Sequence, residues 1–260
     1  MKVAVIQITS ELDFSKNLEV IDRLIKEGKE LGAEAFFLPE VFYSMSDGNS
    51  STPHLIEEHN EHYRNIQNLA IKNKIALIGG SAATKLNGNV VNRAFNFDET
   101  GMDLGHYDKI HLFACDLPDK KLSEAKTYTA GSEYKLVQYK NVKVGLGICF
   151  DVRFSEQALY YRNQGAHILT FPAAFTVPTG KAHWHTLLKA RAIENQCFVI
   201  ASAQWGFHNE KIQTYGHSLI IDPWGDILVD LKEGVSVGVA DLDLDKINYI
   251  RHSVLMNRDN

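Results

Sequence analysis

Cysteine is scarce in this 260-residue chain, and the shortage narrows what the protein can be. Cys115, Cys149 and Cys197 are an odd set, and no pair has the spacing of a zinc clamp or a CxxC redox motif. A disulfide framework and an oxidising compartment are therefore not expected. No run of about 18 apolar residues exists to span a bilayer. The N-terminal MKVAVIQITS meets Glu11 and Asp13 too soon to form a signal-peptide core. A cytoplasmic protein with no membrane association is the expectation. An excess of basic charge is also missing: 27 Lys and Arg stand against 32 Asp and Glu, interspersed, for a formal net charge of −5. That leaves no basic stripe for nucleic acid and no polybasic tail. Internal repeats, low-complexity tracts and a Pro/Gly/Ser linker are absent too. One domain spanning 1–260 is the expectation, with 45% hydrophobic residues to fill its core.

What is present is a series of short apolar runs that do not alternate in polarity, as in strands buried on both faces. They are Val3–Ile8, Ala35–Leu38, Ile75–Ile78, Val142–Ile148, His167–Phe171 and Phe198–Ala203. Helical patterns separate many of them. In Asn17–Leu31, residues Leu18, Ile21, Leu24 and Ile25 share a face, and Gly32 follows as a cap. His54–Asn73 and Ser155–Gln164 also read as helices, and Trp184, Leu187 and Leu188 begin a fourth helical face. Val90–Phe97 and Met102–Tyr107 read as a hairpin around Asp98–Gly101. Ser218–Ile221 and Ile227–Leu231 flank Asp222-Pro223-Trp224-Gly225, where Pro and Gly are placed for a β-turn. Strand and helix in alternation predict an α/β fold with mixed sheets.

The chemistry centres on Gly147-Ile148-Cys149-Phe150-Asp151-Val152-Arg153-Phe154-Ser155. A buried strand runs into Cys149, and Ser155 reads as the cap of the next helix. A thiol on such a turn can face a cavity, and a neighbouring base or cation can activate it. Any lone cysteine can equally be a small buried hydrophobe. Cys197, opening Cys-Phe-Val-Ile, fits that description, and Cys115 reads as a loop residue. Glu40 stands where a buried strand ends, in Leu38-Pro39-Glu40. Lys109 stands among apolar residues in Tyr107-Asp108-Lys109-Ile110. Taken singly, each also fits a surface residue.

Taken together, Glu40, Lys109 and Cys149 in that order resemble the catalytic set of the nitrilase superfamily of carbon–nitrogen hydrolases. The flanking FFLPEVF, HYDKIHLF and GLGICFDVRFSE are similar as well, as are FPAAFTVPTGKAHWHTLLKARAIENQCFVIASAQ and YGHSLIIDPWG. The resemblance covers nearly the whole chain and is to the Nit-type amidases rather than to true nitrilases. Within that branch, AQWGFHNEKIQTYGHSLIIDPWG is most similar to the deaminated glutathione amidases. The resemblance implies a four-layer α-β-β-α sandwich and a homodimer or larger homo-oligomer. It implies that Glu40 is the general base, Cys149 the nucleophile and Lys109 an oxyanion partner, with Glu124 at the place of a second glutamate. The Phe150 N–H is the natural second oxyanion donor. No metal and no organic cofactor is required. There are two departures: Ala114 stands where Nit amidases usually carry an acidic residue, and Asp119 where they carry glycine.

The substrates so implied are small amides bearing carboxylates, either deaminated glutathione or the ω-amides 2-oxoglutaramate and 2-oxosuccinamate. Their carboxylates call for fixed cations or donors. Arg153 is the first candidate, although it could instead pair with Asp151 or Glu156. The Trp205–Tyr215 loop, with His208, Lys211 and Tyr215, is the second, and Thr176 and Thr179 are placed to line a pocket. Two readings of other classes compete. His183 and His185 could serve a metal-dependent hydrolase, but residues two apart on a helix face different ways. A catalytically silent interaction protein is the other, against which the intact Glu40, Lys109, Glu124 and Cys149 argue.

Overall fold

The computed structural model describes residues 1–48, 50–117 and 120–256. The apolar runs form two sheets. The first has the order Ser236–Asp241, Lys2–Gln7, Ala35–Phe37, Ala76–Ile78, antiparallel at the first pair and parallel after it. The second has the order Ile227–Asp230, Leu219–Ile221, Phe198–Ala201, Ile168–Thr170, Val142–Leu146, Lys135–Tyr139. Its centre is parallel and both its edges are antiparallel.

Strand periodicity decides which side chains meet, because successive residues point to opposite faces. Val3, Val5, Phe37 and Ile78 pack in one cluster with Val144, Leu146, Ile168 and Ile200 of the second sheet. Their neighbours Ala4, Ile6, Phe36 and Leu77 face the other way, onto helices α1 (Phe14–Glu30) and α2 (Glu61–Asn73). On the far side of the second sheet lie α3 (Ser155–Asn163) and α4 (Val177–Asn195), which bury Ala158, Tyr161, Trp184 and Leu188. The result is the expected α-β-β-α order of layers. A last helix, α5 (Asp245–Ser253), buries Ile247 and Ile250.

Local chemistry sets the element ends. Asp13 caps α1 by accepting the Ser15 N–H, a contact worth about 1 kcal/mol. Gly32, at φ +89°, follows the helix. The helix expected over His54–Asn73 begins only at Glu61, because Asn60 takes the cap and accepts the Tyr63 N–H. Ser155 is the first residue of α3, with Phe154 at the cap position. Asp98–Gly101 does form a turn, with Gly101 N–H donating to the Asp98 carbonyl. The long partner of Asn89–Ala94, however, is Ser81–Leu86, across a turn at Asn87-Gly88. Cys115 lies in the strand Ala114–Leu117 rather than in a loop. Trp205–Tyr215 is itself a hairpin, pairing Trp205–Phe207 with Gln213–Tyr215.

Candidate active site

Three chain segments leave their strands close together. Glu40 follows Ala35–Phe37 of the first sheet, Cys149 follows Val142–Leu146 of the second, and Lys109 follows Tyr107–Asp108 of a small third sheet. Glu40 is 3% exposed, Lys109 0% and Cys149 8%, so the surface readings open for the glutamate and the lysine do not apply.

Lys109 Nζ lies 2.9 Å from Glu40 Oε1 and 2.8 Å from Glu124 Oε2. Asn92 Nδ2 donates to the same Glu40 oxygen at 2.9 Å, and the Ala174 N–H donates to Oε2 at 2.8 Å. Both carboxylate oxygens of Glu40 are therefore held by donors. Gln204 Nε2 reaches the Glu40 carbonyl, and the Ser81 hydroxyl accepts the Val41 N–H. Val41 adopts φ +48°, rare for a β-branched residue. Glu124 begins a 3₁₀ turn, Glu124–Lys126. It exchanges two bonds with Phe113, the backbone N–H of Glu124 to the Phe113 carbonyl and the Phe113 N–H to Glu124 Oε2.

Cys149 opens a 3₁₀ helix, Cys149–Arg153, at φ +51°. A left-handed non-glycine residue costs on the order of 1–2 kcal/mol, so the surroundings must hold it there. The Cys149 N–H donates to the Pro172 carbonyl at 2.8 Å. Asp151, fully buried, accepts the Ile148 N–H at Oδ2 together with the Tyr107 hydroxyl, and at Oδ1 it takes the His111 N–H. Gly147 has no room for a side chain, since a Cβ would fall 2.7 Å from the Phe171 ring. The Phe150 N–H lies in the first turn of the 3₁₀ helix, where a backbone donor has no acceptor within the helix.

These surroundings set the charges. Burial works against the Lys109 ammonium, but Glu124 and Glu40 outweigh it and hold the group well above the ordinary lysine range. Burial raises the Cys149 thiol well above its usual value, and the Glu40 carboxylate adds to the effect. Burial also raises Glu124. The resting sulfur is therefore a neutral thiol, and a fixed cation stands beside it. Such a thiol can act only by giving up its proton as it attacks.

Glu40, Glu124, Cys149, Phe150 and Arg153 border one cavity of about 330 Å³, at the small end of ligand pockets. Arg153 does not pair with Asp151 or Glu156. Its guanidinium lies 5.4 Å from the Phe150 ring and 5.5 Å from that of Phe175, and Nη2 lies 3.2 Å from His183 Nδ1. Its Nε is buried with no hydrogen-bond partner among the described residues. Thr176 and Thr179 also line the cavity, Thr176 from the extended segment that leads into α4 and Thr179 from that helix's first turn, with their hydroxyls 2.8 Å apart. Lys211 lies at the rim, 3.6 Å from Asp47.

Two expected residues are not there. His208 is tied into the framework, Nδ1 to the Ser10 carbonyl and Nε2 to the Thr214 hydroxyl, each at 2.8 Å. Tyr215 stacks on His217 away from the cavity, whose lining from this hairpin ends at Thr214. The motifs passed over Asn92 and Ala174. Asn92 Oδ1 is buried at the cavity with no partner among the described residues. Of the two sequence departures, Ala114 is exposed, and Asp119 lies outside the described residues.

Comparison with known proteins finds relatives along nearly the whole chain. A family model described as carbon-nitrogen hydrolase matches residues 2–252. The nitrilase and fragile histidine triad fusion protein NitFhit of Caenorhabditis elegans is 39% identical over 260 residues, covering 96% of this chain. The chain spans only 58% of that protein's length. The NitFhit crystal structure superposes with a TM-score of 0.90 over 97% of this chain and 63% of its own, at 38% identity. A deaminated glutathione amidase of Synechocystis sp. is 36% identical, covering 96% of this chain and 94% of that protein. The omega-amidase NIT2 of Xenopus tropicalis is 35% identical, covering 94% and 89%. The chain belongs to the carbon–nitrogen hydrolase family.

Proposed function

We propose that this enzyme is an amidase that hydrolyses a small carboxylate-bearing amide, deaminated glutathione, to the acid and ammonia through a thioester at Cys149. The observation that carries the reading is the buried set in which Lys109 bridges Glu40 and Glu124 beside a strained, cavity-lining cysteine.

Glu40 takes the thiol proton as Cys149 attacks the amide carbon. The carbonyl oxygen becomes an oxyanion held by Lys109 Nζ and the Phe150 N–H, fixed donors in a dry site. Glu40 passes its proton to the nitrogen, the C–N bond breaks and ammonia leaves. Glu40 then draws a proton from water, whose oxygen attacks the thioester. The acid departs and the thiol is restored. Glu124 keeps Lys109 charged and aimed. Arg153, its Nε unpartnered and its plane against two aromatic rings, receives a substrate carboxylate.

The ω-amidase reading, with 2-oxoglutaramate as substrate, rests on the NIT2 likeness and the small cavity. The reading extends to a cytoplasmic, non-membrane protein that forms a homo-oligomer; for the first two points, the three cysteines are free and no described helix is long and apolar enough to cross a membrane.

Ammonia release from deaminated glutathione and from 2-oxoglutaramate, measured side by side at neutral pH with Cys149→Ala as blank, tests the proposal. A higher kcat/KM on deaminated glutathione is expected, with no turnover by the variant. Preference for 2-oxoglutaramate would replace the substrate, and hydrolysis by pure Cys149→Ala would sink the mechanism.

A further inference from the structure

His183 and His185 part company in the structure. His183 meets Arg153, whereas His185 Nε2 lies 3.3 Å from Asp230 Oδ2. His217 Nδ1 lies 3.2 Å from that same Oδ2. The three ligand atoms, from α4, the bend before Leu219–Ile221 and the end of Ile227–Asp230, all fall within 4.8 Å of one another. Two ligands about 2.0–2.1 Å from a tetrahedral zinc ion sit about 3.3 Å apart, so two edges of such a site are already formed. We propose that His185, His217 and Asp230 form a binding site for a divalent transition ion of the zinc class.

The site is built rather than incidental. Asp230 Oδ1 accepts the Lys232 N–H at 2.9 Å and lies 2.9 Å from His217 Nδ1, which fixes the carboxylate, while Oδ2 lies within reach of both rings. His217 adopts φ +56°, donates its N–H to the Lys232 carbonyl and accepts the Trp184 indole N–H. Tyr215 stacks on the His217 ring with centroids 4.5 Å apart. Each ligand is partly open, 31%, 19% and 21% for His185, His217 and Asp230, so an ion has a way in. Two imidazoles and one carboxylate favour zinc, cobalt or nickel over magnesium or calcium. The fourth position would belong to water. Bound there, the ion clamps α4, whose first turn lines the cavity, to the strand pair behind it.

Titration of the full chain as Cys149→Ala with Co²⁺ tests this without the active-site thiol. The expected result is one equivalent bound in a tetrahedral ligand field, free of sulfur charge-transfer absorption and displaced by Zn²⁺. His185→Gln and Asp230→Asn should each weaken binding by about tenfold or more, whereas His183→Gln should not. Zn²⁺ should raise the thermal midpoint of the parent but not of the two ligand variants. No saturable binding at micromolar metal, or equal binding by both ligand variants, overturns the proposal.

Discussion

Asn92 donates to Glu40 through the same oxygen that takes Lys109, so one carboxylate oxygen is shared by an amide and an ammonium. The backbones are joined as well, since the Lys109 N–H donates to the Asn92 carbonyl at 2.9 Å. Asn92 thus sets the spacing of Glu40 and Lys109 at once. Asn92→Ala is expected to lower kcat by about 10²-fold through misplacement of Glu40, with KM little changed. Asn92→Asp, which sets a further carboxylate against Glu40, should lower it more. Steady-state kinetics on the two purified variants checks the order.

Arg153 has a buried, unpartnered nitrogen at the cavity. Arg153→Leu should raise KM for a carboxylate-bearing amide by about 10- to 100-fold, the loss of a charge-assisted pair worth about 1.5–3 kcal/mol. Hydrolysis of a neutral amide of similar size should be unaffected. Equal losses on both substrates would mean that Arg153 serves the fold instead.

The left-handed backbone at Cys149 makes a separate prediction about stability. Glycine adopts that conformation without the Cβ penalty, so Cys149→Gly should be more stable than Cys149→Ala by about 1 kcal/mol. Both should be inactive. Thermal unfolding of the pair measures the difference without reference to activity.

On the alkaline side, the two buried thiols fix the sign. Burial pushes Cys197 from 9.0 up to about 11, and Cys149 well above 9.0. Below pH 9 these thiols keep their protons in both states, and their contribution to stability is whole. As pH rises from 9 toward 11 the unfolded chain ionises first, so stability falls, for Cys197 by about 2–3 kcal/mol. Chemical denaturation across this range should show the decline, and Cys149→Ala should lessen it.

Much of the fold was legible because strands buried on both faces read as unbroken apolar runs. Ala35–Phe37, Ala76–Ile78 and Phe198–Ala201 fell within the expected segments. What escaped was pairing by half-polar strands. Ser81–Leu86 alternates too weakly to stand out, although Asn87-Gly88, at φ +50° and +82°, is a strong hairpin signal. At the site, Glu40, Lys109 and Cys149 were legible as a constellation, and none was legible singly. Tyr215 and His208 were misplaced because Tyr215 stacks on His217 and His208 is held by the Ser10 carbonyl and the Thr214 hydroxyl, partners distant in sequence or set by the hairpin. Nothing in the sequence singles out Asn92, and its burial against Glu40 is what marks it out.

Glu40 hangs from one sheet and Cys149 from the other, so the gap between carboxylate and sulfur is also the gap between the two halves of the sandwich. A slip of one residue between the sheets, about 3.3 Å, would part them while leaving every strand and helix whole. Catalysis in this molecule is thereby a gauge of sheet alignment. Heat or denaturant should extinguish turnover before circular dichroism registers any loss of secondary structure.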